Sequence, residues 1–241
     1  MDPQLLFLGN QVLCVIVFLE LLINFRKNSL LKLCLLLIIT SLFVMNYFAY
    51  AGVFSRLHLL VVKAARTVYV CSTILSIIYL VTPRIPRWVK WLIICATITS
   101  ICFRVINYHK IDIETISQLP NQVFSVGAEF YSPILYVRYT LYALTIVATL
   151  IAFYYYRRFL TSFNWESPHY KHLLWWIISL VVPFFMLTIF GLIGNLGLFN
   201  QQFSSILFSL FCFIIIFSIL FRPRFLNRQS YLEARGYGSW Q

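Results

Sequence analysis

Between Gln4 and Asn24 the chain carries one charge, Glu20, in an otherwise apolar or uncharged run. Comparable runs recur at about 30–54, 58–82, 88–106, 134–156, 172–196 and 203–221. A helix needs roughly 20 apolar residues to cross the hydrocarbon of a bilayer. Inside that hydrocarbon every backbone N–H and C=O must be satisfied within the protein, which restricts spanning segments to helices or closed barrels. Barrel strands are shorter, of about 10 residues, and alternate apolar with polar side chains; the runs here do neither. Composition agrees: 61% of the residues are hydrophobic and 11% charged, whereas a soluble domain carries about a quarter charged. The expected fold is therefore an all-α polytopic integral membrane protein with seven transmembrane helices. Residues 1–221 form the seven-helix membrane domain and 222–241 a short basic and polar tail. The opening "MDPQLLFLGNQV" lacks the basic start and small-residue cleavage site of a secretory signal, so the first run is expected to be retained as a span. The segment between Asn107 and Pro133 is the one long connection, with room for an interfacial helix or hairpin.

Charge gives the orientation. With seven spans, Arg26, Lys27, Lys32, Arg84, Arg87, Lys90, Arg157, Arg158, Lys171, Arg222, Arg224, Arg228 and Arg235 all fall on one side. Setting Glu20, Glu166 and Glu233 against them leaves a net charge of ten there, of the chain's total of +12. The Lys/Arg bias then predicts an external N-terminus and a cytoplasmic C-terminus. Trp88, Trp91, Trp165, Trp175 and Trp176 gather near the same boundary, as an interfacial aromatic belt does. Basic and aromatic residues are thus accounted for by topology, and no direct nucleic-acid binding is expected. The cell membrane, bacterial inner or plasma membrane, is the expected location, with membrane lipids as immediate partners.

Against this background the cations within spans stand out. Lys63 and Arg66 share roughly one face of the third span, at a depth where a charge costs a few kcal/mol unless it snorkels, pairs or faces water. Arg104 and Arg138 lie near the same external level, and Asp112, Glu114 and Glu129 occupy the long outer loop. Together they suggest an outward-facing polar pocket for a small or anionic ligand, with Lys63, Arg66, Arg104 and Arg138 as its binding residues. The alternative is that Lys63 and Arg66 snorkel to outer headgroups. Glu20, Glu129 and Pro183 are candidates for pairing or gating: Glu20 could meet Arg26 or a basic residue on an adjacent inner loop, and Pro183 removes a backbone donor mid-span, favouring a kink. Asn46 is expected to hydrogen-bond between helices.

Catalytic signals are missing. The chain has no HExxH, no phosphate-cradling glycine loop and no GxSxG elbow, so no catalytic residue, metal site or cofactor is assigned. His58, His109, His169 and His172 are dispersed, and the six cysteines are expected to be buried packing residues. A small-solute transporter is the first alternative, although Pro183 has no counterpart in spans one to three as an internal repeat would require. An intramembrane enzyme is the second.

After the last span the chain reads "SILFRPRFLNRQSYLEARGYGSWQ", basic and then polar like a juxtamembrane connector. In topology the layout resembles the multi-helix membrane sensor segments that precede histidine-kinase or helix-turn-helix output domains in bacterial regulators. That resemblance implies a signalling role with a cytoplasmic output domain or protein partner. Rhodopsin-like receptors fit poorly: the third span ends "LSIIYLVTPRIPR" without an Asp-Arg-Tyr-like motif, and the seventh has "FCFIIIFSILFRP" in place of Asn-Pro-x-x-Tyr. A retinal-binding lysine is absent from 203–221.

Overall fold

The computed structural model describes residues 3–24, 29–51, 55–81, 87–106 and 201–222, together with isolated helical positions at Val147, Ile178, Ser179, Val182, Pro183 and Met186. It is all-helical there, with α1 at Pro3–Asn24, α2 at Ser29–Ala51, α3 at Arg56–Val81, α4 at Arg87–Ile106 and α5 at Gln201–Leu220. These bounds lie within three residues of the corresponding apolar runs. Three helices among the described residues, α1, α2 and α3, are long and apolar enough to cross a membrane. The runs at 134–156 and 172–196 lie outside the described residues except for the isolated positions, of which Pro183 is helical and buried.

Local chemistry sets the helix ends. Ser55 caps α3: its Oγ accepts from the His58 N–H at 3.1 Å, and its carbonyl accepts the first helical bond from Leu59 N–H at 3.1 Å. Ser55→Ala should lower stability by about 1 kcal/mol, the usual cost of a lost cap; denaturant unfolding of the detergent-solubilised protein measures it. At the other end of the helices, Lys32 at the start of α2 donates Nζ–H to the Leu22 carbonyl at the end of α1, 2.9 Å away. A cation there complements the negative end of the α1 dipole. The last turn of α5 tightens as Arg222 N–H bonds the Ile219 carbonyl at 3.4 Å, and Pro223 follows in the sequence.

Interhelical bonds fix the directions. Asn46 reaches Phe7 and Gln11 reaches Phe43, so α1 and α2 are antiparallel. Asn10 meets Ser209 and Glu20 meets Arg222, so α1 and α5 are parallel. α2 lies between α1 and α3, α4 packs on α3, and α5 packs on α1 with a lesser contact to α2.

Between helices surrounded by lipid, dispersion and hydrogen bonding replace the hydrophobic drive. The seam is accordingly close-packed: Leu31, Leu35, Ile38, Ile39, Leu42 and Met45 of α2 are all at most 1% exposed. They meet Val17 and Leu21 of α1, Val62 and Ile74 of α3, and α5 adds Ile215, Ile216 and Ile219 to the same core. The outer faces remain apolar, with Leu5, Leu8, Val12 and Leu19 of α1 exposed, as a helix meeting hydrocarbon requires.

Cysteine placement departs from the uniform burial expected. Cys14, Cys34, Cys71 and Cys212 are buried, but Cys95 and Cys102 are exposed. Both sit on one outward stripe of α4 with Trp91, Ile98 and Val105, since a spacing of seven returns to the same helical face.

Candidate functional site

Among the described residues α3 is the most enclosed of the long apolar helices. Of its membrane window 72% is buried, against 28% in α1. From Tyr69 to Ser76 eight consecutive residues are buried; two turns take 7.2 residues, so no side of the helix is open there. Lys63 and Arg66 sit one turn above this stretch, about 10 and 15 Å along the helix from its start. Their exposures are 4% and 7%. Both cations are therefore enclosed by protein, not extended along a lipid-facing surface, and both are partnered. Two positive charges inside an apolar bundle raise the local potential far more than they would in water, and favour a carboxylate, a phosphate or another anion beside them.

The hydroxyls of α3 are tied to the backbone of their own helix. Thr67 donates to the Lys63 carbonyl at 2.9 Å, Thr73 to Tyr69 at 2.9 Å and Ser76 to Ser72 at 2.8 Å, and Thr97 of α4 does the same to Ile93 at 2.8 Å. Each proton is committed to a carbonyl four residues back.

A second polar zone lies where α1, α2 and α5 meet. Asn10, 1% exposed, donates Nδ2–H to both the carbonyl and the Oγ of Ser209, each at 2.8 Å. Asn46, fully buried, donates to the Phe7 carbonyl at 3.0 Å, and Gln11 donates to the Phe43 carbonyl at 3.1 Å. The amide oxygens of all three have no hydrogen-bond partner among the described residues. Asn46 thus ties α2 to α1. Asn10 and Gln11 went unnoticed in the sequence, where the signal was the pair of adjacent amides in "LGNQVL". Asn46→Ala should destabilise by about 0.6–1.7 kcal/mol, the range for such bonds in membranes. Asn46→Leu should cost less, because it loses the same amide but fills the space that alanine leaves empty. Unfolding of both variants in mixed micelles checks the order.

At the opposite end of α1, Glu20 finds its partner 202 residues away. Arg222 donates Nη1–H to Glu20 Oε2 at 2.5 Å and Nη2–H to Oε1 at 2.9 Å, a two-pronged pairing, and Nη1 also reaches the Ile219 carbonyl at 3.2 Å. The Arg222 side chain is 1% exposed and that of Glu20 25%. The sequence points to Arg26 or a basic residue on an adjacent inner loop; the pairing seen is with Arg222, which follows α5.

Other sequence candidates are only partly described. Arg104 belongs to α4, but its side chain lies outside the described residues, as do Arg138 and Glu129. His58 is partly buried at the start of α3 with its ring 5.1 Å from that of Phe48. Among the described residues no three His, Cys, Asp or Glu side chains gather as metal ligands would. Comparison of the chain with protein-family models, with curated proteins and with solved structures finds no match.

Proposed function

We propose that this is a seven-span membrane sensor with its N-terminus outside. Lys63 and Arg66, joined by Arg104 and Arg138, answer to an anionic ligand arriving from that side, and the change reaches the inner loops and C-terminal connector. The observation that carries this reading is the enclosure of Lys63 and Arg66 in α3 at 4% and 7% exposure. Two buried cations on neighbouring turns are costly in a membrane and mark functional sites more often than structural ones.

Topology supports the same reading. Parallel α1 and α5 require an odd number of crossings if each span reverses the chain, and seven satisfies that. The Lys/Arg distribution then puts the tail in the cytoplasm, where an output domain or protein partner would receive the signal. A ligand can act only by binding one arrangement of the helices better than another.

Thermal unfolding of purified protein tests the proposal. Inorganic phosphate, citrate and phosphatidylglycerol in mixed micelles serve as probes, with chloride at matched ionic strength as the control. At least one probe should stabilise the native protein, by about 2.7 kcal/mol at a hundredfold excess over its Kd. Lys63→Met/Arg66→Met should fold and lose the response. An equal response in that variant, or none in the native protein, would overturn the assignment.

A further inference from the structure

We propose that α1 and α5 form a pivoted pair, with Asn10–Ser209 as the pivot and Glu20–Arg222 as a latch that can open. The two contacts are the polar ties between these helices among the described residues, and they differ in the property that decides which one yields. Asn10 and Ser209 are 1% and 0% exposed. Neither is open to the surface, so separating them leaves amide and hydroxyl groups bare in an apolar seam. Glu20 is 25% exposed in its side chain, so its carboxylate has water or headgroups available when the pair parts. Arg222 lies two residues beyond the end of α5, where a long side chain can snorkel to the interface. The ion pair is the contact whose broken state is stabilised from outside the protein.

The seam between the two ties suits rotation more than sliding. Cys14 and Val17 of α1 and Cys212, Ile215, Ile216 and Ile219 of α5 are all buried there. Ser209 and Arg222 are 13 positions apart, giving an arm of about 20 Å. Opening the latch swings the inner end of α5, and with it the chain leaving at Pro223, away from α1 while the pivot level stays in place. The first helix would thereby control where the basic tail leaves the membrane.

Paired spin labels read this directly. Ile23→Cys and Phe221→Cys report the inner ends, and Leu8→Cys and Ile206→Cys the pivot level; all four positions are outward-facing. Cys95 and Cys102, exposed in the native chain, are replaced by serine in every sample. Glu20→Gln should lengthen or broaden the inner distance by about 5 Å, the displacement of a tilt near 15° over that arm, and leave the outer distance unchanged. The exchange Glu20→Arg/Arg222→Glu should bring the inner distance back toward its native value. An unchanged inner distance in Glu20→Gln overturns the latch, and an equal change at both levels overturns the pivot. Should Glu20→Gln fail to fold, Arg222→Lys takes its place: it keeps the charge but loses the fork, and an inner distance as narrow as the native one would count against the latch.

Discussion

Ile38→Ala lowers the unfolding free energy of the solubilised protein by about 2–5 kcal/mol, while Leu37→Ala, one position earlier, changes it by less than about 0.5 kcal/mol. Ile38 is 1% exposed in the middle of α2, the helix held between α1 and α3. Truncating it opens a void among side chains that cannot all move in to fill it, and the lining atoms lose their dispersion partners. Leu37, about 100° round the helix, is 38% exposed. Lipid chains fill that space as readily as methyl groups do, and little is lost. Equal effects at the two positions, measured by denaturant unfolding in mixed micelles, would mean that α2 does not present this face to its neighbours.

Glu20→Gln should destabilise by about 3 kcal/mol, the lower end of the cost of stranding one partner of a buried ion pair. Arg222→Met should cost less, because a carboxylate that is 25% exposed can be hydrated whereas a guanidinium that is 1% exposed cannot without moving. The same inequality drives the proposed opening of the latch, since motion is how Arg222 recovers its hydration. A double-mutant cycle over the two positions isolates their coupling; a coupling indistinguishable from zero would reduce the pair to an incidental contact.

How far the sequence foretold these features depends on the range of the interaction behind each. The four N-terminal helices and the last were legible because about 20 apolar residues between polar breaks such as "FRKNS" and "TPRIPR" satisfy a local rule of length. Which face turns inward was much harder to read. Apolar residues lie on both sides of α2, and what marks its inner side is the small and polar set Cys34, Ser41 and Asn46, all buried. Thr40, exposed and bonded to the Leu36 carbonyl at 2.9 Å, shows why such marks mislead when taken singly.

Long-range pairing was beyond the reach of local pattern. Glu20 had several cations as candidate partners along the chain, and only the parallel docking of α5 on α1 brings Arg222 to it. Lys63 and Arg66 were evident as charges in an apolar run, yet snorkelling and enclosure predict the same letters. Their burial follows from α3 lying inside the bundle, which depends on how the other helices surround it.

The most direct test of the anion-responsive site is the charge preference of position 63 as seen from outside the membrane. In Lys63→Cys, with Arg66 retained, the negatively charged methanethiosulfonate MTSES and the positively charged MTSET are applied externally to sealed cells. The native chain, whose Cys95 and Cys102 are exposed, supplies the background. An outward pocket lined with cations predicts modification from outside with MTSES reacting about tenfold faster than MTSET, the ratio that a difference of about 1.4 kcal/mol in local potential produces. The preference should collapse in Lys63→Cys/Arg66→Met. Equal rates with the two reagents, or no reaction with either, would contradict the account and leave Lys63 and Arg66 as a closed structural pair.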